Sequence, residues 1–267
     1  MTRIAQLTDR SVLALQGADA RPFLQDMLTN DVDQLTPATP LWAALLSAQG
    51  KPLADMLLFE AVGRSGGGDV VWLDVAADAA PGLARKLAMY KLRRDVSVTP
   101  TDLKVFAAWD GAHDAAADPR LAALGTCRIA DAAPVNATLA DYDAHRLALG
   151  VPGSADLLLD KMMWLETNAA ELHGVSFTKG CYVGQENTAR MHHRTKLRKR
   201  LLPVTFAGEP GDGILRAGDR EAGELRSHRD GHGIAYLRLE FVEAGVPLAM
   251  NGGPVTVEWP AYLEVGG

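Results

Sequence analysis

The chain has 267 residues, 48% hydrophobic and 22% charged, enough apolar material for a large buried core, which excludes intrinsic disorder as a global description. Its 27 Lys and Arg stand against 33 Asp and Glu, and the formal charge of −6 argues against a surface devoted as a whole to nucleic acid. Two cysteines, no apolar or Arg/Ser-rich leader after Met1-Thr2-Arg3, and no run of about twenty apolar residues point to a reduced, cytoplasmic setting without a membrane-spanning helix.

Arg3–Leu7 and Ser11–Gln16 alternate around Thr8-Asp9-Arg10, which predicts an opening β-hairpin. Phe23, Met27 and Leu28 recur at helical spacing between Ala18 and Asn30, with Asp19 as cap and Pro22 in the first turn. Leu41–Ser47, Leu53–Val62 and Val70–Val75 read as an antiparallel meander, its turns at Ala48–Lys51 and Ser65–Gly68. A helix over Ala79–Tyr90 follows, then strands at Val96–Val98 and Leu103–Trp109 that would continue the same sheet. Gly111–Pro134 is rich in Ala and Asp, lacks periodicity and reads as surface structure. Leu157, Met162, Leu165 and Leu172 predict a helix over Asp156–His173, with Gly174 at the C-cap. After Arg200 the texture changes to short strands at Leu201–Phe206, Gly223–Ser227, Gly233–Leu239 and Val255–Trp259, a small barrel or sandwich. The division expected is 1–199 for an α+β region and 200–267 for a β-barrel.

The densest group of chemically capable residues is Lys179-Gly180-Cys181-Tyr182-Val183-Gly184-Gln185-Glu186, followed by Arg190. Its two glycines permit sharp turns or close approach to a ligand, so a buried turn with a solvated Lys/Glu pair and a ligand-binding loop are both open readings. Cationic neighbours Lys179 and Arg190 would favour the Cys181 thiolate; the rival reading is a small buried hydrophobe. Without CxxC or Cys/His spacing, this chain alone supplies no usual metal-ligand set, so no metal site is expected.

The segment Lys179–Glu186 resembles the signature of YgfZ-type folate-binding proteins, which include a mitochondrial counterpart that helps assemble [4Fe-4S] clusters, within the glycine-cleavage T-protein (GcvT) aminomethyltransferase superfamily. Gly17–Ala20 with Phe23-Leu24-Gln25, Thr29–Val32, Gln49-Gly50-Lys51 with Asp55, Tyr90–Val96 and Gly231–Arg238 extend the likeness over most of the chain. The resemblance implies an α+β fold around a central channel with a C-terminal antiparallel β-barrel, and tetrahydrofolate in the channel. Glu166 matches the superfamily's pterin-binding glutamate, and a carboxylate suits the adjacent N–H and NH2 donors of a reduced pterin; an exposed helix glutamate is the plain alternative. Asp55 matches the catalytic aspartate of aminomethyltransferases, but Ala54 stands where T-proteins carry a second Asp.

Cofactor contacts are further expected from Lys179, Tyr182, Gln185 and Arg190, with Tyr182 and Trp164 as stacking rings or core aromatics. The resemblance implies a tetrahydrofolate-binding accessory protein for assembly or repair of iron–sulfur enzymes, with Cys181 as its working thiol. Its expected partners are folate and the iron–sulfur assembly proteins or client enzymes. The alternative is a folate-dependent aminomethyltransferase, methyltransferase or demethylase using Asp55, and turnover is left open. The basic run His192–Arg200 admits three readings: a solvated face, attraction of the folate tail, or contact with RNA or another acidic partner. RNA ranks last because no aromatics are interleaved.

Overall fold

Strand alternation and the residues that interrupt it decide this architecture. A computed structural model describes residues 1–61, 70–111, 114–194 and 196–263. The expected Ser65–Gly68 turn and Thr195 of the basic run lie outside the described residues. In chain order the elements are β1 (Arg3–Gln6), β2 (Arg10–Gln16), α1 (Ala20–Met27), β3 (Leu41–Leu46), β4 (Pro52–Glu60), β5 (Val70–Ala76), α2 (Ala80–Tyr90), β6 (Ser97–Pro100), β7 (Lys104–Trp109) and β8 (Thr126–Ala130). There follow α3 (Leu139–Ala148), α4 (Gln185–Arg194), β9 (Lys199–Phe206), β10 (Ile214–Ala217), β11 (Arg220–Arg229), β12 (His232–Arg238), α5 (Leu239–Glu243), β13 (Leu248–Met250) and β14 (Gly253–Val257).

The meander forms as expected and lies in a five-stranded sheet of order β3-β4-β5-β2-β6. Both of its faces are covered, so its strands are almost continuously apolar and the period of two shows only in which core each residue joins. Ala54, Met56 and Leu58 of β4 enter the core under α1 and α2, while Leu57 and Phe59 enter the core shared with the barrel. Asp55 shares this second face, the one polar side chain of β4 buried between these layers.

The opening hairpin does not form. β1 pairs with β7 in a separate three-stranded sheet, β1-β7-β8, because both edges of β2 are taken by β5 and β6. Accordingly β6 extends the larger sheet as expected, whereas β7 leaves it. Gly111–Pro134 is not merely surface: β8 pairs with β7, and Leu124, Cys127 and Asp118 are buried. The helix expected over Asp156–His173 is replaced by two short 3-10 turns, Ser154–Asp156 and Trp164–Thr167. Asp160, Asn168 and His173 have left-handed φ of 58°, 67° and 58°, which no continuous α-helix accommodates. The apolar residues of the segment are buried nonetheless, and Gly174 is required by packing: a Cβ there would lie 2.6 Å from the indole of Trp42.

The last strands close a six-stranded antiparallel barrel, β10-β11-β12-β9-β14-β13, around Leu202, Val204, Leu215 and Leu237. A mixed helix-and-sheet body with a C-terminal barrel is thus the fold class the sequence indicated.

Candidate functional site

Between the five-stranded sheet, the three-stranded sheet and α3 lies a narrow central cavity of about 60 Å³. Three arginines organise its wall, Arg146 buried and Arg10 and Arg120 partly buried, each held by an aspartate. Arg10 donates through Nε to Asp74 Oδ1 at 2.7 Å and through Nη1 to Ser154 Oγ at 2.7 Å. Arg120 grips Asp118 through Nε and Nη2 at 3.0 and 2.7 Å and also donates to the Tyr142 hydroxyl. Arg146, on α3, donates to Asp143 at 2.9 Å, to Asp156 at 2.9 Å and to Ser227 of the barrel at 3.2 Å. Burial opposes the charge on Arg10, and Asp74 and Asp55 together more than offset it, so its pKa lies above the ordinary value. Burial likewise pushes the Tyr142 phenol up to about 12. Asp9, Asp55, Asp74, Asp118 and Asp143 outnumber these three arginines, so the cavity wall is acidic.

Asp55 stands where this cavity meets a wider mouth of about 650 Å³, and it lines both together with Asp9, Ser154 and Ala155. Its Oδ2 accepts a hydrogen bond from Trp42 Nε1 at 3.1 Å, and the residue is 8% exposed. Trp42 is fixed in turn against Trp164, ring centres 4.8 Å apart. Asp78 adds a third carboxylate to the mouth, whose remaining lining is apolar or hydroxyl-bearing and contains no cation.

The other expected site residues stand elsewhere. Glu166 caps its own turn, Oε2 accepting from Met163 N–H and from the Tyr236 hydroxyl, each at 2.7 Å, so this carboxylate ties the turn to β12 and lines neither the cavity nor its mouth. Lys179 is buried, and its ammonium donates to the carbonyls of Gln25, Leu28 and Asn30 at 2.7, 2.7 and 2.8 Å. These carbonyls lie at and beyond the C-terminal end of α1, where a cation answers both orphan acceptors and helix dipole. Tyr182 is buried beneath Lys179, whose Nζ lies 5.2 Å from the ring centre, and burial pushes its phenol up to about 12. Gln185 opens α4, and Arg190 is exposed and paired with Glu186 at 3.0 Å.

Lys179 and Gly184 clamp the intervening loop at both ends. Gly184 has φ of 83°, and a Cβ would meet Ser47 O at 2.5 Å, so only glycine permits the loop to lie on the β3–β4 turn. Between the clamps Cys181 is exposed, whereas Cys127 is buried and burial, reinforced by Asp118, raises its thiol pKa well above the usual range. The expected cationic surroundings of Cys181 are thus largely spent: Lys179 serves backbone carbonyls and Arg190 serves Glu186. Among the described residues, no three His, Cys, Asp or Glu side chains converge as a metal-binding group.

Sequence reasoning missed Arg10, Asp74, Asp118, Arg120, Tyr142 and Arg146. The one local signal was Thr138-x-x-Asp141, a capping box that starts α3 and thereby aims Tyr142 and Arg146 inward.

Residues 198–264 match the family model described as CAF17, C-terminal beta-barrel domain. The chain is 33% identical over 289 residues to the human protein named iron-sulfur cluster assembly factor IBA57, mitochondrial, covering 93% of this chain and 81% of that protein. The mouse protein of the same name is 32% identical, with 89% and 78% covered. Among solved structures, glycine cleavage system aminomethyltransferase T from Bartonella henselae superposes with a TM-score of 0.73 over 98% of this chain and 86% of that one; at 14% identity this is a likeness of fold. The cytoplasmic setting expected from the sequence is overturned by these relatives, which are named as mitochondrial proteins. The family that the Lys179–Glu186 motif indicated is borne out by relatives that align along nearly the whole chain: the chain belongs to the family of the iron–sulfur cluster assembly factor IBA57.

Proposed function

We propose that this protein acts in the assembly or repair of [4Fe-4S] enzymes by presenting the Cys181 thiol to a partner assembly protein or client. The observation that carries this reading is an exposed thiol on a loop clamped at both ends, in a chain whose relatives are named as cluster assembly factors. A thiolate is a cluster ligand, and as no other ligands converge around it among the described residues, the remaining coordination comes from the partner. Its test is support of a [4Fe-4S] enzyme in cells lacking the endogenous factor. Cys181→Ala should abolish that support while leaving the unfolding transition in place; full support by the variant removes the thiol from the mechanism.

A second reading, tetrahydrofolate binding, is favoured by the acidic mouth. The inner cavity has room for only a few waters, on the order of 10–15 Å³ each, and does not admit a pterin ring. The mouth does, and Asp55, Asp9 and Asp78 are acceptors suited to the donor-rich edge of a pterin. The glutamyl tail meets no cation in that lining and so extends into solvent. When bound, the folate would supply a one-carbon unit; the chain's contribution is to orient its ring, with Asp55 held by Trp42. Anaerobic calorimetry tests this: binding should be lost in Asp55→Asn and kept in Cys181→Ala, and no heat with wild type sinks the reading. Turnover of a methylamine donor lost in Asp55→Asn would instead favour the one-carbon transferase.

A further inference from the structure

The basic run that closes α4 does not spread over the surface; it lines a pocket of about 750 Å³ between α4 and the barrel. Arg194 ends α4, Lys196 and Arg198 come from the connection that follows, Lys199 opens β9, and Arg238 ends β12. Glu240 and Glu243 of α5 stand on the opposite wall, so positive charge exceeds negative by three in a chain whose net charge is −6. The carboxylates engage only part of this charge: Lys196 meets Glu243 at 2.7 Å and Arg238 approaches Glu240 at 3.9 Å. Lys199 lies 5.0 Å over the Tyr236 ring. Arg194 and Arg198 are exposed and have no carboxylate partner among the described residues. Leu197 and Leu239 add apolar lining.

We propose that this pocket docks an acidic segment of the protein partner on which Cys181 acts. The proposal rests on the reading of Cys181 given above and adds where the partner is held. The loop bearing Cys181 precedes α4 and the pocket follows it; ten helical residues span about 15 Å, so one protein surface reaches both. A free phosphate is a poorer occupant, because it leaves the apolar lining of Leu197 and Leu239 unused. RNA is poorer too, because the lining contains no aromatic ring for bases to stack on. An acidic peptide satisfies Arg194 and Arg198, places an apolar residue on Leu197 and Leu239, and bypasses the two glutamates.

The probe is a fluorescent decapeptide of Glu and Asp with one Leu, titrated by anisotropy against the full chain. Wild type should bind, with affinity falling as salt rises. R194E/R198E should weaken binding by roughly tenfold or more, at about 1.4 kcal/mol per tenfold. Glu243→Gln, which releases Lys196 from an exposed pair, should strengthen it severalfold, a gain that misfolding cannot imitate. Cys181→Ala should bind as wild type, and cluster-enzyme support by that variant, measured separately, judges the thiol. No peptide binding by wild type, unchanged affinity in R194E/R198E, or displacement of the peptide by a single-stranded RNA dodecamer that binds more tightly would each overturn the proposal.

Discussion

Lys179→Met probes the clamp on the thiol loop most directly. The ammonium serves three carbonyls, and of these contacts the one to Leu28 is buried while those to Gln25 and Asn30 are partly buried. A buried acceptor stripped of its donor costs about 1–3 kcal/mol, and water can compensate the two outer carbonyls, so the loss is about 3 kcal/mol in total. At about 2–4 °C per kcal/mol for a chain of this size, the unfolding midpoint should fall by about 6–12 °C. The pH dependence provides an independent check. Burial pulls the Lys179 amine down to about 8, against the fields of Asp31, Asp26 and Asp33. Its ordinary value is 10.5, so between these limits the unfolded chain binds more protons, and this lysine's contribution to stability rises with pH. The variant lacks that contribution. Wild type and Lys179→Met, unfolded thermally or in urea across this window, should therefore diverge as pH rises. Coincident midpoints would refute the clamp, and a gap that narrows with rising pH would refute the lowered amine.

Three further outcomes follow from the same geometry. Gly174→Ala drives a Cβ to 2.6 Å from Trp42 and 3.0 Å from Trp164, both rigid, so it should cost about 1–3 kcal/mol and alter the near-ultraviolet dichroism of the paired indoles; an unchanged spectrum would mean the segment yields easily. Arg146→Met leaves the fully buried Asp156 carboxylate without its cation and should cost about 3–5 kcal/mol, much of it recovered in Arg146→Met/Asp156→Leu; additive losses in denaturant titrations would contradict this. A maleimide titration of native protein should modify Cys181 alone and reach Cys127 only after unfolding, since Cys127 is buried and its thiol held protonated; rapid labelling of both would contradict the burial of β8.

What was legible in the sequence follows the range of the interactions involved. The β3–β4–β5 meander, α1, α2 and the barrel strands β9, β11, β12 and β14 are set by local alternation, helical spacing and turn residues, and these were readable, whereas the short strands β10 and β13 were not. The Asp156–His173 helix failed because its apolar residues pack by tertiary demand, with Asp160, Asn168 and His173 in left-handed conformations that no periodicity records. Lys179 illustrates the same limit from the side of chemistry. Next to Cys181 in sequence it reads as a thiol activator, yet its ammonium reaches carbonyls some 150 residues earlier, at Gln25, Leu28 and Asn30. The cavity arginines were unreadable for a related reason: Arg10, Arg120 and Arg146 are ordinary charges in sequence, and only the meeting of two sheets with α3 buries them against their aspartates.

One hairpin joins the cavity to the thiol. Asp55 lies on β4 just past the turn at Gly50, and that same turn carries the loop of Cys181: a Cβ on Gly184 would lie 3.3 Å from Gly50 Cα and 2.5 Å from Ser47 O, so the two backbones approach closely. Met163 packs against Gly50 from the turn that Glu166 caps and Tyr236 of the barrel holds. Asn168, at the end of that turn, donates to Leu201 of β9 at 2.9 Å. The polar ties of Glu166 and Asn168 therefore run to the barrel, while Lys179 ties the loop to α1. The thiol is held by both parts of the protein at once. A group at the Asp55 mouth would bear on the β3–β4 hairpin, and through the Gly50–Gly184 contact on the loop that displays Cys181. Because that contact is backbone against backbone, with no side chain able to rotate aside, displacement of the turn has to be taken up by the loop.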